Sequence, residues 1–296
     1  MLERDGYVPG VPCWVDTSQP DPEAAVAFYG GLFGWDFEDA MAPGEDGHYF
    51  IGRLHGGDVA AVGPAPPSDA PQRPAWNTYI WVADADETCS KVLDAGGRVL
   101  TDPFDVTDAG RMAVCLDLEG AAFCTWQPKR HKGAQIVNEP GSVNFNSLHT
   151  RDADAARTFY GRVFGWELLG LPGAGMWRLP GYGDFLELRD PALRQRMAQT
   201  GAPQGFEDVV AALNPIADDR PDVRAHWGVT FAVDDADATA ERAAELGGKV
   251  EVAPFDAPWV RMTVISDPQG ATFTASKFVP ENRDLDRQAN TAGTAA

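Results

Sequence analysis

The sequence predicts an α+β protein that contains two copies of one domain, each copy built from two βαβββ modules. The first observation behind this prediction is an internal repeat: residues 28–35, Phe-Tyr-Gly-Gly-Leu-Phe-Gly-Trp, recur in closely similar form as residues 159–166. The second is that further matching groups follow both segments in the same order. The third is that each copy alternates short apolar runs with stretches of helical periodicity. Together these features indicate a duplicated architecture.

The later matches extend over most of each copy. They pair Asp84-Ala85-Asp86 with Asp235-Ala236-Asp237, Gly96-Gly97 with Gly247-Gly248, Pro103-Phe104-Asp105 with Pro254-Phe255-Asp256, Arg111-Met112 with Arg261-Met262, and Asp117, Gly120, Ala121 and Phe123 with Asp267, Gly270, Ala271 and Phe273. Because both order and approximate spacing are kept, the matches are explained by duplication and not by chance.

The first module of each copy opens with a strand, at residues 11–16 or 143–150. Asp21 or Asp152 then stands where its carboxylate can accept hydrogen bonds from the free amides of a helix N-terminus. The following helix carries apolar residues at helical spacing and ends at the glycine of the Phe-Gly-Trp motif. Two or three strands with glycine-rich turns complete the module.

The second module repeats this order. In the first copy we expect a strand at residues 77–83, a helix at 84–95 that ends at the Gly-Gly pair, and three strands that reach about residue 127. Asp84 and Asp235 precede the two second-module helices, and each is followed two residues later by another aspartate. We interpret these aspartates as N-terminal caps.

The domain boundaries follow from the repeat. We predict an N-terminal extension (residues 1–7), a first domain (8–128) and a polar linker (129–141). A second domain (142–278, with an insertion at 190–222) and a disordered tail (279–296) follow.

Composition narrows the classes of function. The formal net charge of -20 argues against nucleic acids and anionic membrane surfaces as partners. The charged N-terminus has no apolar segment after it, and no apolar run is long enough to span a bilayer, so we expect no secretory signal and no membrane span. Four cysteines without a regular spacing indicate reduced thiols. We therefore expect an acidic cytoplasmic protein, either a monomer or a homodimer.

These motifs resemble the vicinal oxygen chelate superfamily, which includes glyoxalase I, extradiol dioxygenases and bleomycin- and fosfomycin-resistance proteins. The resemblance covers residues 8–128 and 142–278 and is most like the tandem two-domain proteins of actinobacteria. It implies two tandem glyoxalase-like domains, in which four βαβββ modules form two pairs of curled, mixed-sheet half-barrels. Each pair encloses a cavity, and metal-using members place two His and one Glu in it.

The resemblance also implies which positions would carry those metal ligands. Here they are occupied by Trp14, Asn77 and Cys124 in the first copy, and by Phe145, Gly228 and Thr274 in the second. None is His, Asp or Glu, and a single thiolate is a poor site for a hard divalent cation. We therefore expect no metal and no other cofactor.

A displaced site in the second copy is a second possibility. Glu187 stands where glyoxalase I uses a first-module glutamate, and His149 and His226 are offset by even numbers of residues from the ligand positions, which keeps them on the same strand face. These three side chains are the candidates for acid–base catalysis or for a metal site. The alternative is that both histidines lie near strand ends as solvated residues.

Replacement of the ligands makes the cavities aromatic, which suits a flat organic molecule. The residues expected to line them are Trp14, Asn77, Cys124 and Trp126 in the first copy and Phe145, His149, His226, Gly228 and Thr274 in the second. The leading hypothesis is metal-free binding or sequestration of an aromatic metabolite or antibiotic. The alternatives are an enzyme of the same fold (a lyase, isomerase or cyclase), aromatic residues that simply fill the cavities, and a division of labour in which only one copy binds.

Overall fold

The computed structural model describes residues 4–41, 47–65, 74–171 and 174–285. Within them the chain forms two open, mixed eight-stranded sheets, one from each sequence copy, as expected for an α+β protein. The first sheet has the order β2-β3-β4-β1-β5-β8-β7-β6, and the second has the equivalent order β10-β11-β12-β9-β13-β16-β15-β14. Among the helices of these residues, none is long and apolar enough to cross a bilayer.

The strands of the first sheet are β1 (Pro12–Gln19), β2 (Asp36–Asp39), β3 (Phe50–Leu54), β4 (Gly57–Pro64), β5 (Ala75–Trp81), β6 (Arg98–Val106), β7 (Gly110–Leu116) and β8 (Ala122–Pro128). Those of the second are β9 (Val143–Thr150), β10 (Glu167–Leu171), β11 (Ala174–Arg178), β12 (Val209–Pro215), β13 (His226–Ala232), β14 (Lys249–Ala257), β15 (Val260–Ser266) and β16 (Thr272–Phe278). The α-helices are α1 (Pro22–Phe33), α2 (Ala85–Asp94), α3 (Ala153–Phe164), α4 (Tyr182–Glu187), α5 (Leu193–Thr200) and α6 (Ala236–Glu245).

The helix ends follow the predicted chemistry. Asp21 accepts a hydrogen bond from the amide of Ala24, and its counterpart in the second copy caps α3 in the same way. Gly34, at the C-terminus of α1, adopts the left-handed conformation with a φ of 72°, which glycine reaches without a steric penalty. Asp84 and Asp235 likewise accept hydrogen bonds from the first-turn amides of α2 and α6. The N-cap predictions are therefore confirmed.

The most compact parts of the molecule are not the two sequence copies. One compact unit contains residues 1–14, 77–135 and 145–228, and the other contains residues 15–76, 136–144 and 229–296. Each unit thus combines a module from the first copy with a module from the second. Strands β1, β5, β9 and β13 each run from one unit into the other.

Each compact unit has a core centred on the tyrosine of its repeated helix motif. In the second unit, the fully buried Tyr29 donates a hydrogen bond to Asp267 (2.9 Å) and accepts one from Trp76 (3.1 Å). In the first unit, Tyr160 makes the same contacts with Asp117 and Trp227. The two aspartates also accept hydrogen bonds from the amides of their own hairpins. Burial without such partners would be costly.

Two segments differ from the prediction, and a third makes a contact that the sequence did not indicate. The stretch 190–222 was expected to be an insertion, but it contains β12, a strand that pairs in parallel with β9. The tail expected to be disordered from residue 279 begins with a 3₁₀ helix, Pro280–Asp284, and its residues 286–296 lie outside the described part of the chain. In the described part of the N-terminal extension, the half-buried Arg4 donates a hydrogen bond to the hydroxyl of Tyr182. In each case tertiary contacts order a segment that has little apolar periodicity of its own.

Candidate functional site

The two faces of each sheet differ because side chains alternate along a strand. In the second compact unit, the face covered by α6 carries the buried Phe231, Ile265 and Phe273. Among the residues that the structure describes, α6 is the α-helix that packs against β14, β15 and β16. We call the face opposite to it the open face. We define the open-face patch as the apolar and threonine side chains that β14, β15 and β16 place there: Val252, Phe255, Met262, Val264, Thr274 and Phe278.

The open-face patch is unusually apolar for a partly exposed surface. Val252, Phe255 and Phe278 are 44%, 39% and 55% exposed. A one-sided sheet normally presents polar residues to solvent, and contiguous exposed apolar residues mark ligand or partner sites. Thr274, one of the residues expected to contact ligand, lies half-buried beside Thr230 of β13. The patch is therefore the strongest candidate surface in the second unit.

The equivalent face of the first copy is filled by its own side chains at β5 and β8, whereas Phe104 on β6 is 42% exposed, like its counterpart Phe255. Where the second copy has Thr230, Ala232 and Ser276, the first has Tyr79, Trp81 and Trp126 at the same register positions. Trp126 is 5% exposed, and its indole donates a hydrogen bond to the carbonyl of His131. It makes edge-on ring contacts with Tyr79 and His131.

The remaining residues predicted to line the first cavity belong to the same filled region. Trp14 is buried and contacts the ring of His131 edge-on, with centroids 4.4 Å apart. Cys124 is buried and Asn77 is half-buried. The N-terminal segment adds Tyr7, whose ring lies 5.9 Å from that of Trp81. Chain segments before and after the first domain thus pack onto this side of the sheet.

The second copy brings two of its candidate residues together in the first compact unit. The rings of His149 and His226 are stacked: their centroids lie 4.5 Å apart and their planes are parallel to within 1°. Gly228 makes room for this arrangement, because a Cβ at that position would lie 3.3 Å from Nε2 of His149. Phe145, four residues before His149 on β9, is half-buried on the same strand face.

Glu187 does not join the histidines as a ligand or catalytic acid. It lies at the end of α4, not on a strand, and its carboxylate is paired with Arg194. The same guanidinium also pairs with Asp184 and Glu207. The expectation that Glu187 occupies the family's glutamate position is therefore wrong, because α4 is inserted between β11 and β12 and carries Glu187 in place of a strand position.

The residues at the family's metal positions do not fit a divalent cation. Tryptophan, phenylalanine and glycine offer no ligand atom, and Asn77 and Thr274 are neutral oxygen donors. Throughout the described ranges, no group of three or more His, Cys, Asp or Glu side chains could hold a metal ion. The stacked histidines cannot share an ion as they stand, since imidazole lone pairs lie in the ring planes and parallel rings direct them past each other.

Four cysteines that the sequence suggested to be reduced are all buried and free. Cys89 on α2 and Cys115 on β7 have their sulfur atoms 4.0 Å apart. This distance is about twice that of a disulfide bond.

Sequence and structure comparisons agree with this architecture. The model of the glyoxalase/bleomycin resistance protein/dioxygenase superfamily matches residues 14–125 and 142–274. "Putative glyoxylase CFP32" of Mycobacterium tuberculosis is 42% identical over 284 residues, covering 95% of this chain and 100% of that protein. "Anthracycline biosynthesis protein DnrV" of Streptomyces peucetius is 37% identical over 284 residues, covering 90% of this chain and 93% of that protein.

Solved structures share the fold at low sequence identity. The Mn(II)-bound glyoxalase from Novosphingobium aromaticivorans superposes with a TM-score of 0.57 at 14% identity, covering 91% of this chain and 83% of that one. Homoprotocatechuate 2,3-dioxygenase from Arthrobacter globiformis also gives a TM-score of 0.57, at 13% identity, covering 93% and 82%. With a family match over both copies and close relatives along nearly its full length, the chain belongs to the glyoxalase/bleomycin resistance protein/dioxygenase superfamily.

Proposed function

We propose that this protein binds a flat, largely apolar small molecule on the open-face patch of its second copy. The observation that carries the proposal is the exchange of large for small residues between the copies. Trp126, Tyr79 and Trp81 occupy the first face, whereas the second face has the smaller Ser276, Thr230 and Ala232 at the same register positions, with Ser276 itself buried. Small-molecule sites are typically apolar surfaces with a few polar groups, here the two threonine hydroxyls.

Aromatic side chains at the edge of the patch support a planar ligand. Phe278 stacks in parallel with Trp259, with centroids 6.2 Å apart. Trp259 adopts a φ of 70° at the β14–β15 turn, a conformation that is rare for a bulky residue. Strained backbone of this kind is concentrated at functional positions. Rings presented in this way offer flat faces on which an aromatic molecule can stack.

The names of two relatives point to the same ligand class. The Streptomyces proteins named for anthracycline biosynthesis are 37% and 36% identical to this chain. Anthracyclines are polycyclic, planar and oxygenated, as the patch would require. The net charge of -20 further disfavours a polyanionic ligand such as a nucleic acid. We infer that the ligand is a polycyclic aromatic ketone or quinone, bound in the cytoplasm without a metal.

Binding of 2-(hydroxymethyl)anthraquinone, a neutral probe, tests the proposal by calorimetry and by quenching of tryptophan fluorescence. We expect Phe255→Ser and Val252→Asp to weaken binding about tenfold or more, because each removes apolar contact area from the patch. The duplication supplies matched controls: Phe104→Ser and Thr101→Asp alter the equivalent positions of the first copy. Equal effects in both pairs, or no effect in either, would contradict the assignment of the patch.

A further inference from the structure

The histidine pair, His149 on β9 and His226 on β13, lies on one side of these two strands. Their neighbours Leu148 and Trp227 point to the other side and are buried. His149 is half-buried and His226 is exposed, so the pair has one protected and one accessible ring. Both rings and the groups that act on them belong to the first compact unit, separate from the open-face patch of the second.

The hydrogen bond of His226 determines which nitrogen carries its proton. Nδ1 lies 2.8 Å from the carbonyl oxygen of Arg224. Because a carbonyl oxygen only accepts hydrogen bonds, Nδ1 must donate. In the neutral ring, Nε2 therefore holds a lone pair and can accept a proton from a ligand. Arg151 anchors the adjoining turn through hydrogen bonds to the carbonyls of Arg220 and Val223, which keeps this backbone in place.

The charges around the pair favour a negative group. Burial, together with the charges of His226 and Arg220, lowers the pKa of His149 to about 4. On β12, the residue in register with His149 is the uncharged Asn214. His149 therefore stays neutral at physiological pH. The exposed ring of the pair, His226, is the one that a ligand can reach.

We propose that the histidine pair binds the acidic hydroxyl of a phenolic or enolic ligand and holds that ligand as its anion. The O–H bond breaks, its electron pair stays on the ligand oxygen, and the proton moves to Nε2 of His226. The resulting oxyanion is held by the His226 imidazolium and by the positive charge of Arg220. Since the chain carries a net charge of -20, a neutral acid approaches more readily than its anion, and ionisation takes place at the site.

The probe for this site is 1,2-dihydroxyanthraquinone, whose anion absorbs at longer wavelength than the neutral dye. Absorbance is followed from pH 5 to 8 with and without protein. We expect the apparent pKa of the bound dye to fall by about one unit or more, because a nearby positive charge stabilises the anion. His226→Gln should abolish this shift, and His149→Gln should reduce it. His48→Gln is the control, since His48 is an exposed histidine that also stacks on a ring, that of Phe50.

Nitrogen-15 NMR of the imidazoles supplies a second readout, in which His226 gains a proton when the dye binds at pH 7.5 and His149 does not. The proposal is overturned if the dye shows no spectral shift with the wild-type protein, or if the shift survives His226→Gln. The neutral anthraquinone, which has no acidic hydroxyl, keeps the two proposals apart. Its binding to the open-face patch should be unchanged in both histidine variants.

Discussion

The indole of Trp126 occupies the space that a side chain at Gly110 would need: a Cβ at residue 110 would lie 2.5 Å from the ring. The second copy has Val260 and Ser276 at these two positions, which lie diagonally across neighbouring strands, since Val260 is in register with Phe278 and Ser276 with Met262. A large residue on one strand has thus been matched by loss of the side chain on the other. This pair distinguishes the filled face of the first copy from the open face of the second.

Gly110→Val should therefore destabilise the protein by about 1–3 kcal/mol, since overpacking of a filled region forces side chains from their preferred rotamers. The free energy of unfolding, measured by urea denaturation, checks this. In a Trp126→Ser background, the same Gly110→Val change should cost much less, because the clash has been removed. Additive effects of the two substitutions would show that the residues do not compete for space.

The two buried tyrosines should differ in their contribution to stability. Tyr160→Phe leaves Asp117 Oδ2 without the hydrogen bond from residue 160 and should cost about 1–3 kcal/mol. Tyr29→Phe should cost less, because Asp267 Oδ2 keeps a hydrogen bond of 2.6 Å from Gln19. In a Gln19→Leu background, Tyr29→Phe should cost as much unfolding free energy as Tyr160→Phe, because Asp267 then has no hydrogen bond from residue 19. An equal loss for both tyrosines in the wild-type background would contradict this explanation.

His149 should make the protein less stable as the pH falls below 6.5. Its pKa is lowered from 6.5 to about 4 by burial and by neighbouring cations, so between these values the unfolded chain binds more protons than the folded one. Linkage then predicts a loss of about 2 kcal/mol between pH 7.5 and pH 5 from this residue. His149→Gln should show a correspondingly flatter dependence in denaturant titrations. Identical slopes in variant and wild type would argue that His149 is not held neutral.

Divalent metals should leave the melting temperature unchanged. Nickel, zinc, manganese and iron(II) would raise it by mass action if they bound the folded state alone. The residues at the six family positions, however, lack the required ligands, and Glu187 is occupied by Arg194. Elemental analysis of the untagged protein complements the thermal scans. Stoichiometric metal, or a shift that disappears in His149→Gln, would revive the displaced site.

Much of the architecture could be predicted from the repeat. The strand and helix order, the capping aspartates and the Gly34 helix end all rest on local interactions, and each has a strong sequence signal. β12 was missed because helices α4 and α5 stand between it and β11, so it falls where spacing from the repeated motif predicts an insertion. The same interruption explains the misplacement of Glu187.

The candidate sites were only partly accessible from sequence. Even spacing placed His149 and His226 on one strand face each, but their stacking depends on the neighbouring strands and on Gly228. Of the residues of the open-face patch, only Thr274 is predicted from the sequence as a ligand contact. Apart from Phe278 on β16, the other residues of the patch lie on β14 and β15, and register shifts after Val250 and Val252 break the simple alternation of β14 and hide the pattern from sequence.

The pairing of modules within the compact units has a consequence for biosynthesis. Phe28, Tyr29 and Trp35 leave the ribosome early, yet their core partners Phe231 and Phe273 lie near the other end of the chain. At translation rates of about 5–20 residues per second, the first module waits roughly 10–50 seconds for the fourth. Its aromatic face stays unburied meanwhile, so the nascent first copy should be a client of chaperones. A chain truncated at the linker should accumulate as an aggregate.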